Sequence, residues 1–218
     1  MGIESPTETS ESTAKEDLRE FFENNIQRLE NGRYMVSLPF KDNIRFLGDN
    51  ENIARGSLKR FLFKNRNKSE LIAAVDREME NYLKCGYAEP AAPKKPDELV
   101  HYLPILPVVK QSSAQSTPKV RVIKDAGARR EDEAALNDVL HGGANLLPDV
   151  IKVLLRFRQD EIAVTCDIEK AFLQYRIHPD HRTFLRYFWP QGISKNPQAP
   201  ISSFALVSDR DPRVQQAF

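Results

Sequence analysis

Residues 161–167 read Glu-Ile-Ala-Val-Thr-Cys-Asp, and their apolar side chains run consecutively instead of alternating. A strand apolar on both faces is stable only inside a sheet that other elements cover. This short run therefore predicts a buried strand in a layered domain, with the carboxylate of Asp167 at its exit. Just upstream, Pro148 stands where a helix would begin, and Val150, Ile151, Val153, Leu154, Leu155 and Phe157 continue it. That helix can cover one face of the strand but not both.

The remaining pattern mixes helices and strands without a regular βαβ rhythm, so the expected fold class is α+β. Leu18, Phe21, Phe22, Ile26 and Leu29 recur at helical spacing over 15–29. Asn31-Gly32 marks a turn into a short strand stopped by Pro39. A basic helix is expected over 53–65. A clearer one runs from Ser69 to Leu83, with Leu71, Val75, Met79 and Tyr82 on one face, an N-cap at Ser69 and a stop at Gly86. Residues 101–110 hold two prolines and read as an interrupted edge strand, whereas "KVRVIKD" (119–125) alternates as a strand should. "FLQYRI" (172–177) reads as a hairpin return from the 161–167 strand, and "PDHRTFLRY" as a short helix. Beyond Trp189 the periodicity fades among prolines, which predicts disorder there as well as over the polar residues 1–14. Three parts follow: an acidic leader over 1–30, a main region over 31–189 and an off-pattern tail over 190–218.

Net charge is +1, so the whole chain makes no global case for nucleic acid. The charge is unevenly placed, however. Residues 1–23 carry seven acids, whereas 55–68 carry six bases and no acid. A second basic stretch holds Lys110, Lys119, Arg121, Lys124, Arg129 and Arg130 against Asp125. Two distant cysteines, Cys85 and Cys166, suit neither a disulfide scaffold nor a zinc module and point to a reducing, cytoplasmic setting. No apolar run approaches the ~20 residues of a membrane span, so no membrane partner is expected.

Asp167 has two readings. A strand-end aspartate commonly bonds the amides of the next turn. A rigid strand can equally present a carboxylate to Mg²⁺, which prefers oxygen ligands and substrate phosphates. Four stretches follow one another along the chain: R-V-I-x-D at 121–125, L-N-D at 136–138, L-L-R-F-R at 154–158 and D-I-E-K-A-F-L-Q at 167–174. With "NGRYMVSLPFK" and "YLKCGYAEP" upstream, the region from about 30 to 189 resembles the reverse transcriptase of BEL/Pao-type long-terminal-repeat retrotransposons.

The resemblance implies a right-hand polymerase, its fingers and the first part of its palm, truncated, around an RNA/DNA template–primer and a dNTP. Asp167 would match the first palm aspartate that holds two Mg²⁺ ions, and the Ile168 carbonyl would add a ligand. Phe172 would screen the 2′-hydroxyl of the incoming nucleotide, and Arg121, with Lys119 beside it, would grip the triphosphate. The chain contains no Asp-Asp pair, which the family uses to complete its two-metal site. Asp209 and Asp211 are its only late acids. Isolated from any partner, the chain is thus expected to be inactive in extension. Two alternatives stand beside this reading: a non-catalytic nucleic-acid-binding remnant and a degenerate relic. His178 and His181 have H-x-x-H spacing, but Pro179 favours a helix start over a metal site.

Overall fold

The computed structural model describes residues 18–110, 119–142, 148–166 and 171–208, with the side chains at 109, 110, 119 and 172 outside the description. The fold is mixed α+β. Helix α1 (18–25) buries Phe22 and leads into strand β1 (Gln27–Arg28). Gly32, at φ +80°, makes the turn into β2 (Tyr34–Val36), and the two strands pair antiparallel with Gln27 opposite Met35. After a 3₁₀ turn at Asp42–Phe46 come two long helices, α2 (Glu51–Lys64) and α3 (Ser69–Lys84).

Helix α3 buries Ile72, Val75, Asp76, Met79 and Tyr82, a stripe at helical spacing that includes one acid. It begins at Ser69, but the capping position is Lys68, whose side chain caps nothing. Its end is a Schellman turn. Gly86 takes φ +66°, Tyr87 N–H bonds the Tyr82 carbonyl at 2.8 Å, and Gly86 N–H bonds that of Leu83 at 3.1 Å.

That turn delivers the chain into β3 (Ala88–Pro90). The next two strands, β4 (Ile105–Lys110) and β5 (Lys119–Lys124), form a hairpin of their own, with Val108 opposite Arg121. Pro107 does not prevent β4 from pairing, because among the described residues the strand has a partner on one side only. Helix α2 lies against β4, and α3 lies against β5. A short helix, α4 (Leu136–Val139), follows.

Helix α5 (Val150–Phe157) forms where the pattern places it, with the Asp149 carboxylate accepting from Ile151 N–H at 2.8 Å. None of its residues is buried. The expected buried strand after it is not observed. Residues 161–166 have no regular structure, and Ile162 and Val164 are 82% and 80% exposed. Apolar composition alone does not make a strand; it needs a neighbour to pair with and a layer to cover it. The central place in the larger sheet is held by another segment.

That segment is β8 (Ser202–Leu206), between β3 and β7 (Arg186–Trp189). The expected disorder beyond residue 190 is therefore overturned for 190–208. Phe204, Ala205, Leu206 and Val207 are all buried, and β8 pairs antiparallel with both neighbours. Nor is 172–177 a hairpin return. A 3₁₀ turn at Ala171–Gln174, anchored by buried Leu173, leads to β6 (Arg176–Ile177). Strand β6 pairs parallel with β2, which completes the sheet β1–β2–β6. A 3₁₀ helix at Pro179–Leu185, with His178 at its cap, then feeds β7.

Candidate nucleic-acid interface

Arg121 lies on the outer face of the hairpin, exposed, among Leu106, Val108 and Ile123, while Ile105 and Val122 turn inward to the core. The turn after β5 is tied to the segment that follows. Asp125 Oδ1 accepts from Gly127 N–H at 3.0 Å, and Asn137 N–H bonds the Ala126 carbonyl at 3.0 Å. The Asp138 carboxylate pairs with Arg129 and accepts from Ala135 N–H at 3.1 Å, closing the first turn of α4. The R-V-I-x-D and L-N-D stretches are thus brought together, and the strand that carries Arg121 has a fixed exit.

The other residues expected at a polymerase centre are not brought into view. Asp167 and Ile168 lie outside the described residues, as do the side chains of Lys119 and Phe172, and all of Asp209 and Asp211. Among the described residues, no three His, Cys, Asp or Glu side chains stand together as a metal site. His178 and His181 face one another at 5.8 Å between ring centroids, but their nitrogens serve the fold. His181 Nδ1 accepts from Leu38 N–H at 2.8 Å.

Helix α2 and the residues just beyond it carry the six bases of 55–68. Ala54 and Leu58 are buried, with Phe61 and Leu62 packed on the core. The opposite face presents Asn52, Lys59, Arg60, Phe63 and Lys64, all exposed, and the chain beyond adds exposed Arg66 and Lys68. Among the described residues, none of those five bases forms an ion pair with an acid, in contrast to Arg55, which pairs with Glu51 at 2.7 Å. Phe63 is 70% exposed, and the Arg66 guanidinium lies over its ring at 4.4 Å. Arg66 also donates to the Phe63 carbonyl at 2.9 Å, which holds the pair together. Unpaired bases beside an open aromatic ring offer a strand both phosphate neutralisation and a stacking surface.

Reading the sequence singled out the basic run but not Phe63. The signal was there, an aromatic residue between bases on the face opposite Leu58. It also missed Asp76, whose partners lie more than a hundred residues away: Trp189 Nε1 at 2.9 Å, Gly192 N–H at 3.2 Å, and Ser194 N–H and Oγ at 3.1 and 2.5 Å. This buried carboxylate joins α3 to the turn after β7 and so positions α2's neighbours. No protein-family model, no curated protein and no solved structure matches the chain.

Proposed function

We propose that the chain is the fingers and first part of the palm of an RNA-directed DNA polymerase of the BEL/Pao type, where it holds template–primer and the incoming triphosphate. The observation that carries this reading is the ordered set of motifs from Arg121 to Gln174. An exposed Arg121, on a strand whose exit is fixed by the L-N-D segment, is consistent with it. Among the described residues that guanidinium has no ion-pair partner, and its donors suit phosphate oxygens. Magnesium would neutralise triphosphate charge in such an enzyme, but among the described residues it has no ligand set.

The test is dTTP binding and extension on poly(rA)/oligo(dT). The chain is expected to bind Mg·dTTP, and Arg121→Ala to weaken that binding about tenfold, the loss of one charge-assisted contact. Extension should be absent, since no Asp-Asp pair is present. Binding of dTTP that is insensitive to Arg121→Ala would overturn the polymerase reading. The second reading, nucleic-acid binding without catalysis, is favoured by the unpaired basic face of α2. It would then stand alone.

A further inference from the structure

We propose that Arg33 and Arg176, on one face of the β1–β2–β6 sheet beside Arg182, form a binding site for a phosphate group. The register places them together. Met35 is opposite Arg176, and side chains alternate along a strand, so Arg33 shares the face of Met35. Arg33 belongs to this ladder, because its carbonyl accepts from Leu29 N–H at 2.8 Å. On the far side, Arg176 points at the end of α3, where a Cβ on Gly86 would sit 3.9 Å from its Nη2.

The charges do not balance. Among the described residues, Glu89 is the acid facing this cluster, and both of its oxygens engage Arg182 Nη1 at 3.1 Å. Arg182 is further fixed by donating from Nε to the Ile177 carbonyl at 3.0 Å. Neither Arg33 nor Arg176 forms an ion pair among the described residues, and both are half-buried. Burial, and then the nearby charges of Arg182 and Arg33, hold the Arg176 guanidinium below its ordinary value, with Glu89 opposing. Among the described residues three cations thus face one carboxylate, partly withdrawn from water, and the surplus leaves room for an anion.

Phosphate fits this gap better than a carboxylate. A free phosphate carries between one and two charges at neutral pH and a phosphodiester carries one, and either presents at least two acceptor oxygens that guanidinium forks can engage together. The phosphate can be a phosphodiester of a nucleic-acid strand or a free phosphate. This site does not include Arg121 or the α2 bases, so a negative dTTP experiment leaves it standing.

Thermal melting followed by the fluorescence of Trp189, the only tryptophan, tests it. Inorganic phosphate should raise Tm above the value in chloride of equal ionic strength, and the Arg33→Gln/Arg176→Gln protein should lose that increment. Arg33→Gln alone, a change at the strand's edge, should lose at least half. Equal increments in wild type and variants, or none in wild type, would overturn the proposal. Titration of an RNA/DNA hybrid then identifies the source. A log Kd–log salt slope shallower by about two in the double variant assigns a strand phosphate, at ~0.9 per contact. An unchanged slope with the phosphate increment lost assigns a free phosphate.

Discussion

Asp76 is a buried carboxylate whose four hydrogen bonds tie α3 to the end of β7 and the turn beyond it. Burial alone would raise its pKa, but the bonds from Ser194, Trp189 and Gly192 overcome that and hold the carboxyl below its ordinary value. A depressed folded pKa contributes stability that is present above the unfolded value, near 4, and is lost as pH falls through the folded one. Asp76→Asn keeps one carbonyl oxygen but turns an amide N–H₂ toward the Ser194 donors. The expected cost is about 2–4 kcal/mol at pH 7, from weakened charge-assisted bonds and an unsatisfied donor. Urea unfolding monitored at Trp189 would measure it. The gap between wild type and variant should close below pH 4, and a gap constant with pH would mean that Asp76 is not ionised in the folded protein. None of this was legible along α3, where Asp76 looks like one more solvated charge. Trp189, by contrast, is large and mostly apolar, and it is 1% exposed. A large apolar group states its own fate, whereas a buried charge is explained only by the distant donors that surround it.

Elements were legible in proportion to how much of their stability is local. The period-3.6 stripe of α3 and the φ-permissive Gly86 sufficed to place that helix within a residue. The run 161–166 did not become a strand, because pairing depends on partners that its own residues cannot specify. Helix α5 illustrates both sides: Asp149 and a helical pattern form it, and nothing among the described residues covers it. The α2 face offers the clearest experiment at this scale. Its apolar side is spent on the core, so the outward bases can be reversed without disturbing packing. Lys59→Glu/Arg60→Glu/Lys64→Glu should weaken hybrid binding strongly at low salt. It should also flatten the salt slope by up to about 2.7, three contacts at ~0.9 each. Phe63→Ala should instead lower affinity for a single strand with little change in slope, since stacking releases no counterions. Equal slopes for the triple variant and wild type would place the nucleic acid elsewhere.

For the molecule as a whole, the fold class followed from the mixture of patterns, but the layout did not, because its key joins link segments remote in sequence. Strand β8 pairs with β3, more than a hundred residues earlier, and β6 pairs with β2 at a similar distance. The prolines at 190, 197 and 200 read as the end of order. They shape the loop that returns the chain to the sheet, where Val207 N–H bonds the Tyr87 carbonyl at 3.0 Å and Ile177 N–H bonds that of Val207 at 2.7 Å. Residues 202–208 thus touch both the β3–β8–β7 sheet and the β1–β2–β6 sheet. Ending the chain at 189 would strip β3 and β7 of their shared partner and expose Tyr187 and Trp189, now 1% exposed each. It would also remove Gly192 and Ser194 from Asp76, leaving that carboxylate buried with Trp189 Nε1 alone of its four donors. An uncovered apolar face and a buried charge short of donors are each enough to destabilise a domain of this size. The protein comprising residues 1–189 is therefore expected to bind a hydrophobic dye, to show a red-shifted Trp189 emission and to melt without a cooperative transition. A sharp melt with buried Trp189 emission would show that β8 is an accessory to this core and not its centre.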